Sequence, residues 1–215
     1  MKNLITESDI IKLNKKGIKI LPISDNEILT PSAIDRIKVL DIKIVKKELV
    51  KELTEAKDKD LYSKKTNKIA IGSDHTGFKL KNIIAKILSE KGFGIIDVGT
   101  YDENSCDYPD FAFAVSSKVK DNEVDFGIVI DATGNPSAIT ANKLPGIRAA
   151  NCYNEFTAKS AKEHNNANVL TLGAKSIGEE TAKSILEVWL NSNFQGGRHQ
   201  KRLNKIINIE KQFSK

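Results

Sequence analysis

Cysteine is nearly absent from this chain of 215 residues, with Cys106 and Cys152 as the only two. A pair without framework or metal-type spacing excludes a disulfide scaffold and a zinc finger, and both are read as reduced thiols. Aromatic residues make up only 6% of the sequence, including one tryptophan. A single-strand nucleic-acid binder needs stacking rings along a basic groove, which this composition does not supply. No apolar run approaches the ~18 residues that would span a bilayer. The opening MKNLITESDI lacks the basic-then-apolar order of a secretion signal, so a cytosolic chain is expected. A G-x-G-x-x-G after a strand, a Walker loop and H-E-x-x-H are missing as well, which leaves nucleotide and zinc-hydrolase readings without support.

What charge excess there is lies spread out. The net charge is +6, with 15 Lys and Arg against 11 Asp and Glu in residues 1–66 (+4) and 19 against 17 in residues 67–215 (+2). The larger part is close to neutral and offers no basic stripe for phosphate neutralisation, so neither nucleic acid nor membrane is an expected partner.

From Ile69 onward, short β-branched runs alternate with helical patterns. IAIGS, GIIDV, FGIVID, RAAN and NVLTLG read as strands, and FKLKNIIAKILSEKG, PDFAFAVSSKVKD, NEFTAKSAKEH and GEETAKSILEVWLNS as helices between and after them. A last helix, RHQKRLNKIINIEKQF, carries apolar residues at Leu203, Ile206, Ile207 and Phe213. The alternation predicts an α/β fold with a doubly wound, five-stranded parallel sheet over residues 67–215. Residues 1–45 form a small α+β appendage: a helix from Glu7 to Lys16, a strand from Ile18 to Leu21, a helix opened by Thr30-Pro31, and a strand from Ile42 to Val45. Having few large apolar side chains, this unit is marginal alone and is read as a docking element. Residues 46–66, rich in lysine and acid, read as a charged linker or helix. No internal repeat is expected.

Ligands of open parallel sheets gather at the carboxyl ends of strands, so the residues following each strand are the candidates. The first strand runs into Gly72-Ser73-Asp74-His75-Thr76-Gly77, and the third into Asp131-Ala132-Thr133-Gly134-Asn135-Pro136, a loop opening a helix. His164-Asn165-Asn166 and Gly196-Gly197-Arg198-His199 follow, so these segments hold all three histidines. Arg198 and Arg202, four apart, share one helix face and suit a phosphate.

IAIGSDHTGFKLK, DVGTYDENSCDYPDFA, ATGN…ITANKLPGIRAA, KEHNNANVLTLGA and FQGGRHQKRL, in this order, resemble the ribose 5-phosphate isomerase B family, which includes galactose 6-phosphate isomerase subunits. The resemblance covers about residues 67–213. It implies a Rossmann-like fold, a homodimer or homotetramer with active sites at the subunit interface, and aldose–ketose isomerisation of a sugar phosphate without metal or organic cofactor. By the same resemblance, Asp74 contacts sugar hydroxyls and assists ring opening with His164. His75, Arg198 and Arg202 hold the phosphate, Asn165 and Tyr108 bind the sugar, and Thr133 and Gly134 offer N–H groups to an enediolate oxyanion. Asp131 stands where many members carry a cysteine base and is expected to replace it, or else to cap the following helix. Pro136 stands where glycine is usual and removes one N–H from the loop. These departures leave open a catalytically silent, sugar-phosphate-binding subunit, or a galactose 6-phosphate isomerase-type subunit that needs a partner. A scaffold role, with the α/β domain as passenger, is a further alternative.

LITESDI…ILTPSAID…LDIKI resembles the leading segment of ethanolamine-utilisation proteins associated with bacterial microcompartments. That implies docking to shell or core proteins through residues 1–45, and a place in the microcompartment lumen. An accessory dimerisation element is the alternative.

Overall fold

Apolar residues at alternate positions of short strands divide the described chain into separate cores. The computed structural model describes residues 3–47 and 66–213, and the chain falls into two units, Met1–Lys64 and Lys65–Lys215. Most of the expected linker, residues 48–65, lies outside the described residues.

The first unit runs β1 (Asn3–Ile5), α1 (Glu7–Lys15), β2 (Ile20–Ile23), β3 (Glu27–Leu29), α2 (Pro31–Val39) and β4 (Lys43–Lys46). β1 pairs with β3 and β2 with β4, both parallel. The unit is therefore a strand–helix–strand element made twice, each strand pairing with its counterpart in the other copy, which corrects the expectation of no repeat. Thr6-Glu7-Ser8 and Thr30-Pro31-Ser32 open the two helices, and Ile18-Lys19-Ile20 and Ile42-Lys43-Ile44 lead into the second strands, each pair of motifs 24 positions apart (6 and 30, 18 and 42). Thr30 Oγ1 caps α2 by accepting the Ala33 N–H at 3.2 Å. At α1, Asp9 accepts the Thr6 N–H at 3.0 Å and hydroxyl at 2.7 Å, bonds that hold its carboxyl below the ordinary range. Ile10, Leu21, Ala33, Ile37 and Ile42 form the core. The duplication escapes sequence inspection because the three-residue β1 and β3 carry no period and the helices between the motifs differ.

The second unit holds β5 (Lys68–Ser73), α3 (Phe78–Glu90), β6 (Gly94–Asp97), α4 (Tyr108–Lys120), β7 (Phe126–Asp131), α5 (Asn135–Ala141), β8 (Ala149–Asn151), α6 (Glu155–Asn165), β9 (Val169–Gly173), α7 (Glu179–Asn191) and α8 (Arg198–Phe213). The five strands are parallel in the order β6-β5-β7-β9-β8. Strand side chains alternate between faces. Ile69, Ile71, Ile128, Ile130, Leu170 and Leu172 pack with α3, α6 and α7, whereas Ala70, Val129 and Val169 pack with α4 and α5. This is the doubly wound sheet the alternation predicts. The chain leaves β5 toward β6 over one face and returns to β7 over the other. The crevice at the carboxyl ends of β5 and β7 is thus the topological switch point, where such sheets bind ligands. Gly77 lets α3 start there, because a Cβ on it would collide with the Ile130 carbonyl.

Candidate functional site

Two aspartates meet at that switch point. The Asp74 N–H continues the ladder by donating to the Ile130 carbonyl at 3.1 Å, which sets Asp74 beside Asp131. Asp74 is 6% exposed, and its Oδ1 accepts the Thr76 N–H at 2.8 Å, the Thr76 hydroxyl at 2.6 Å and the Gly77 N–H at 3.0 Å. Its Oδ2 has no protein donor among the described residues. Asp131 is 1% exposed. Its Oδ1 accepts the N–H groups of Thr133 at 2.8 Å and Gly134 at 2.7 Å, and its Oδ2 accepts that of Ser137 at 3.1 Å.

This geometry corrects one expectation. The Thr133 and Gly134 N–H groups, expected to face an oxyanion, are turned inward onto Asp131. The reason is local: a strand-terminal aspartate reaches the amides two and three residues on, as in an Asx-turn. Gly134 sits at φ +79°, and a Cβ there would collide with the Asn151 side chain. Thr133 itself is exposed, and its hydroxyl accepts the Asn135 N–H at 3.4 Å.

His75 lies next to this pair, and its Nδ1 accepts the Cys106 N–H at 3.3 Å. Cys106 belongs to the segment between β6 and α4, whose first helical residue is the half-buried Tyr108. Asp74, His75, Tyr108, Asp131, Thr133 and Gly134 therefore all stand at the carboxyl end of the sheet.

The remaining expected residues stand at the other end. α6 runs back against the strands, so His164 and Asn165 precede Val169 at the amino end of β9. α7 runs back in the same sense and delivers Arg198, His199 and Arg202 to that end. At ~3.3 Å per residue, the six-residue β7 separates the two groups by roughly 17 Å within one chain. Chain order already carries this division, because in a parallel α/β sheet the residues between a strand and the next helix lie at the carboxyl ends and those between a helix and the next strand at the amino ends.

Two further features stand at these ends. The His164 and His199 rings stack with centroids 4.2 Å apart and planes 3° from parallel. His199 is 5% exposed, and burial, followed by its neighbours His164, Arg198 and Arg202, holds its imidazole below the ordinary 6.5. Ser160 Oγ lies 3.2 Å from His164 Nδ1, and Arg198 Nε donates to His199 Nε2 at 3.3 Å. The second feature is Lys81, fully buried, with its ammonium 2.7 Å from both Asp97 oxygens and from the Thr100 carbonyl. In sequence it reads as one more charged position on α3. The only hint of its burial is the acid that ends β6.

Near the amino end lies a groove of about 610 Å³, lined by Ile147, Ala149, Asn165, Leu203, Ile206 and Phe213 among others. Of the α8 stripe, Leu203 is buried, whereas Ile206, Ile209 and Phe213 are exposed, Phe213 by 81%. Among the described residues, no three His, Cys, Asp or Glu side chains gather as a metal site, and no helix is long and apolar enough to cross a membrane.

Comparison with known proteins places this architecture. The family described as Ribose/Galactose Isomerase matches residues 69–206. Ribose-5-phosphate isomerase B of Escherichia coli K12 is 45% identical over 143 residues, which is 66% of this chain and 96% of that protein. The Clostridium thermocellum ribose-5-phosphate isomerase B structure superposes with a TM-score of 0.68 at 50% identity, covering 68% of this chain and 99% of that one. The Mycoplasma genitalium ribose-5-phosphate isomerase B, solved with bound ribulose-5-phosphate, gives 0.65 at 46% identity, with 67% and 96% covered.

Proposed function

The chain belongs to the ribose/galactose isomerase family, and from that premise we propose that it interconverts an aldose phosphate and a ketose phosphate of the ribose 5-phosphate and ribulose 5-phosphate type. The observation that carries this reading is the pair of buried aspartates at the switch point. A carboxylate has about four lone-pair positions. Three N–H groups occupy three of them on Asp131, and the fourth, on Oδ2, is the base that takes the C2 proton and returns it at C1. The free Oδ2 of Asp74 accepts from the sugar hydroxyls during ring opening. His75 and Tyr108 flank them, and the Thr133 hydroxyl donates to the enediolate oxygen in place of the inward-turned amides.

A second copy completes the site. His164, for ring opening, Asn165, for the sugar, and Arg198 and Arg202, for the phosphate, lie too far from the aspartates of their own chain to meet one ligand. The exposed apolar stripe of α8 beside its groove supports such pairing, since contiguous apolar surface of this kind marks interaction sites. The duplicated N-terminal unit docks the enzyme to microcompartment proteins, a reading supported by its sequence resemblance and its small core. Turnover of the full chain on ribose 5-phosphate, ribulose 5-phosphate, allose 6-phosphate and galactose 6-phosphate tests the activity; none on any of the four overturns it. A chain starting at Asn67 is expected to fold and isomerise yet lose co-localisation with shells, and retained co-localisation overturns the docking role.

A further inference from the structure

The segment that joins β6 to α4 reaches His75, and it is held by the last bonds of the β5–β6 ladder and by an ion pair where that ladder ends. After β6, Val98 donates its N–H to the Ile71 carbonyl, and Ser73 and Thr100 exchange bonds with Gly99 and Ser73 at 2.7 and 2.8 Å. The chain then leaves the ladder, carries Tyr101 and Cys106, and returns as α4. All three ammonium donors of Lys81 are used where the ladder ends: two on Asp97, one on the Thr100 carbonyl. Asp97 also accepts the Gly99 N–H at 2.9 Å, and its carbonyl accepts the Tyr101 hydroxyl at 3.0 Å. The Phe78 and Tyr101 rings lie 5.6 and 5.2 Å from the ammonium, so the charge is enclosed by ring faces and carboxylate. A second ion pair on this segment, Lys79 to Glu103 at 3.3 Å, is solvent-exposed and adds little.

The far end of the segment touches His75 through a backbone N–H. A backbone amide can only donate, so the His75 Nδ1 that receives the Cys106 N–H carries no proton, and a neutral His75 ring must carry its proton on Nε2. We infer that Lys81 is a positioning residue: by anchoring residues 97–101 it holds Cys106 over His75 and so fixes His75 as an Nε2–H donor toward the sugar phosphate. The direction toward substrate rests on the isomerase reading, whereas the proton position on His75 does not.

The test uses the full chain labelled with ¹⁵N, at a pH above 8, with His75→Gln to assign the ring signals. The unmodified chain is expected to show His75 with a protonated Nε2 and a bare Nδ1; any other pattern overturns the proposal. Lys81→Met keeps the length of the side chain and leaves Asp97, itself partly exposed, open to water. In that variant the two ring nitrogens are expected to move toward the averaged shifts of an imidazole exchanging between tautomers. KM for ribose 5-phosphate should rise about tenfold while kcat stays within about threefold, because ground-state and transition-state contacts weaken together. Asp97→Asn, which keeps the shape and removes the charge, should behave alike and serves if Lys81→Met does not fold. Unmoved His75 nitrogens in a folded variant overturn the proposal. A parent chain that turns over no sugar phosphate overturns the isomerase reading instead, since the nitrogen shifts are read without substrate.

Discussion

Replacing Asp131 by asparagine separates a base from a cap, and the structure sets the size of both effects. The carboxylate accepts N–H groups at 2.7, 2.8 and 3.1 Å in a site that is 1% exposed. An asparagine that keeps its oxygen on Thr133 and Gly134 must present its amide nitrogen to the Ser137 N–H, so one buried donor loses its acceptor, at about 1–3 kcal/mol. The two surviving bonds lose their charge assistance, about 1 kcal/mol each. The expected destabilisation is about 3–5 kcal/mol, and at ~2–4 °C per kcal/mol for a domain of this size the midpoint should fall by roughly 6–20 °C. If Oδ2 is also the base, kcat should fall by at least ~100-fold with sugar-phosphate binding retained, read by calorimetric titration below the new midpoint. Asp131→Cys should lose similar stability, since a thiol cannot accept three amides, but keep more turnover than the asparagine variant. A destabilised Asp131→Asn with kcat within a few fold of the parent would leave Asp131 as a cap and refute the base. An unchanged midpoint would refute the hydrogen-bond account itself.

Three further outcomes are expected. Arg198→Ala or Arg202→Ala should weaken a phosphorylated ligand by about 1–3 kcal/mol and leave the unphosphorylated sugar nearly unaffected; equal losses in calorimetry would remove the phosphate role. Because the folded state holds His199 neutral, the stability it confers is complete above the unfolded value near 6.5 and is lost as pH falls through that value toward its lower folded one. The midpoint drop between pH 7.5 and 5.5 should therefore shrink in His199→Gln, and an identical drop would contradict it. Burial pushes the Cys152 thiol up to about 12, so iodoacetamide at pH 7.5 should label the half-buried Cys106 and spare Cys152, with mass spectrometry of the native protein as the check.

Much of the α/β unit was readable because its signals are redundant. β5, β7 and β9 are each dominated by buried apolar residues, as strands covered on both faces must be, and each helix between them carries its own period. α8 matched its expected span, Arg198 to Phe213, yet its apolar stripe is mostly exposed, because period alone cannot say whether the covering surface belongs to the same chain. In the first unit, α1 was visible as the helical stretch from Glu7 to Lys16 and α2 through Thr30-Pro31, whereas β2 begins two residues later than expected and β1 and β3 are too short to show alternation. At the site, strand ends pointed to Asp74, His75 and Asp131. The inward turn of the Thr133 and Gly134 amides depends on which acceptor is nearest, and Lys81 and His199 matter only through what packs on them in three dimensions.

The placement of the two groups of site residues at opposite ends of one sheet has a genetic consequence. In the two-fold dimer proposed above, each pocket would take its aspartates from one chain and its arginines from the other. A copy carrying Asp131→Asn and a copy carrying Arg198→Ala, each defective alone, would on pairing gather both lesions into one pocket and leave the other pocket whole. Random exchange of equal amounts would thus restore about a quarter of the parental pockets. Two defective alleles expressed in one cell would complement each other, and would do so only between lesions from opposite ends of the sheet.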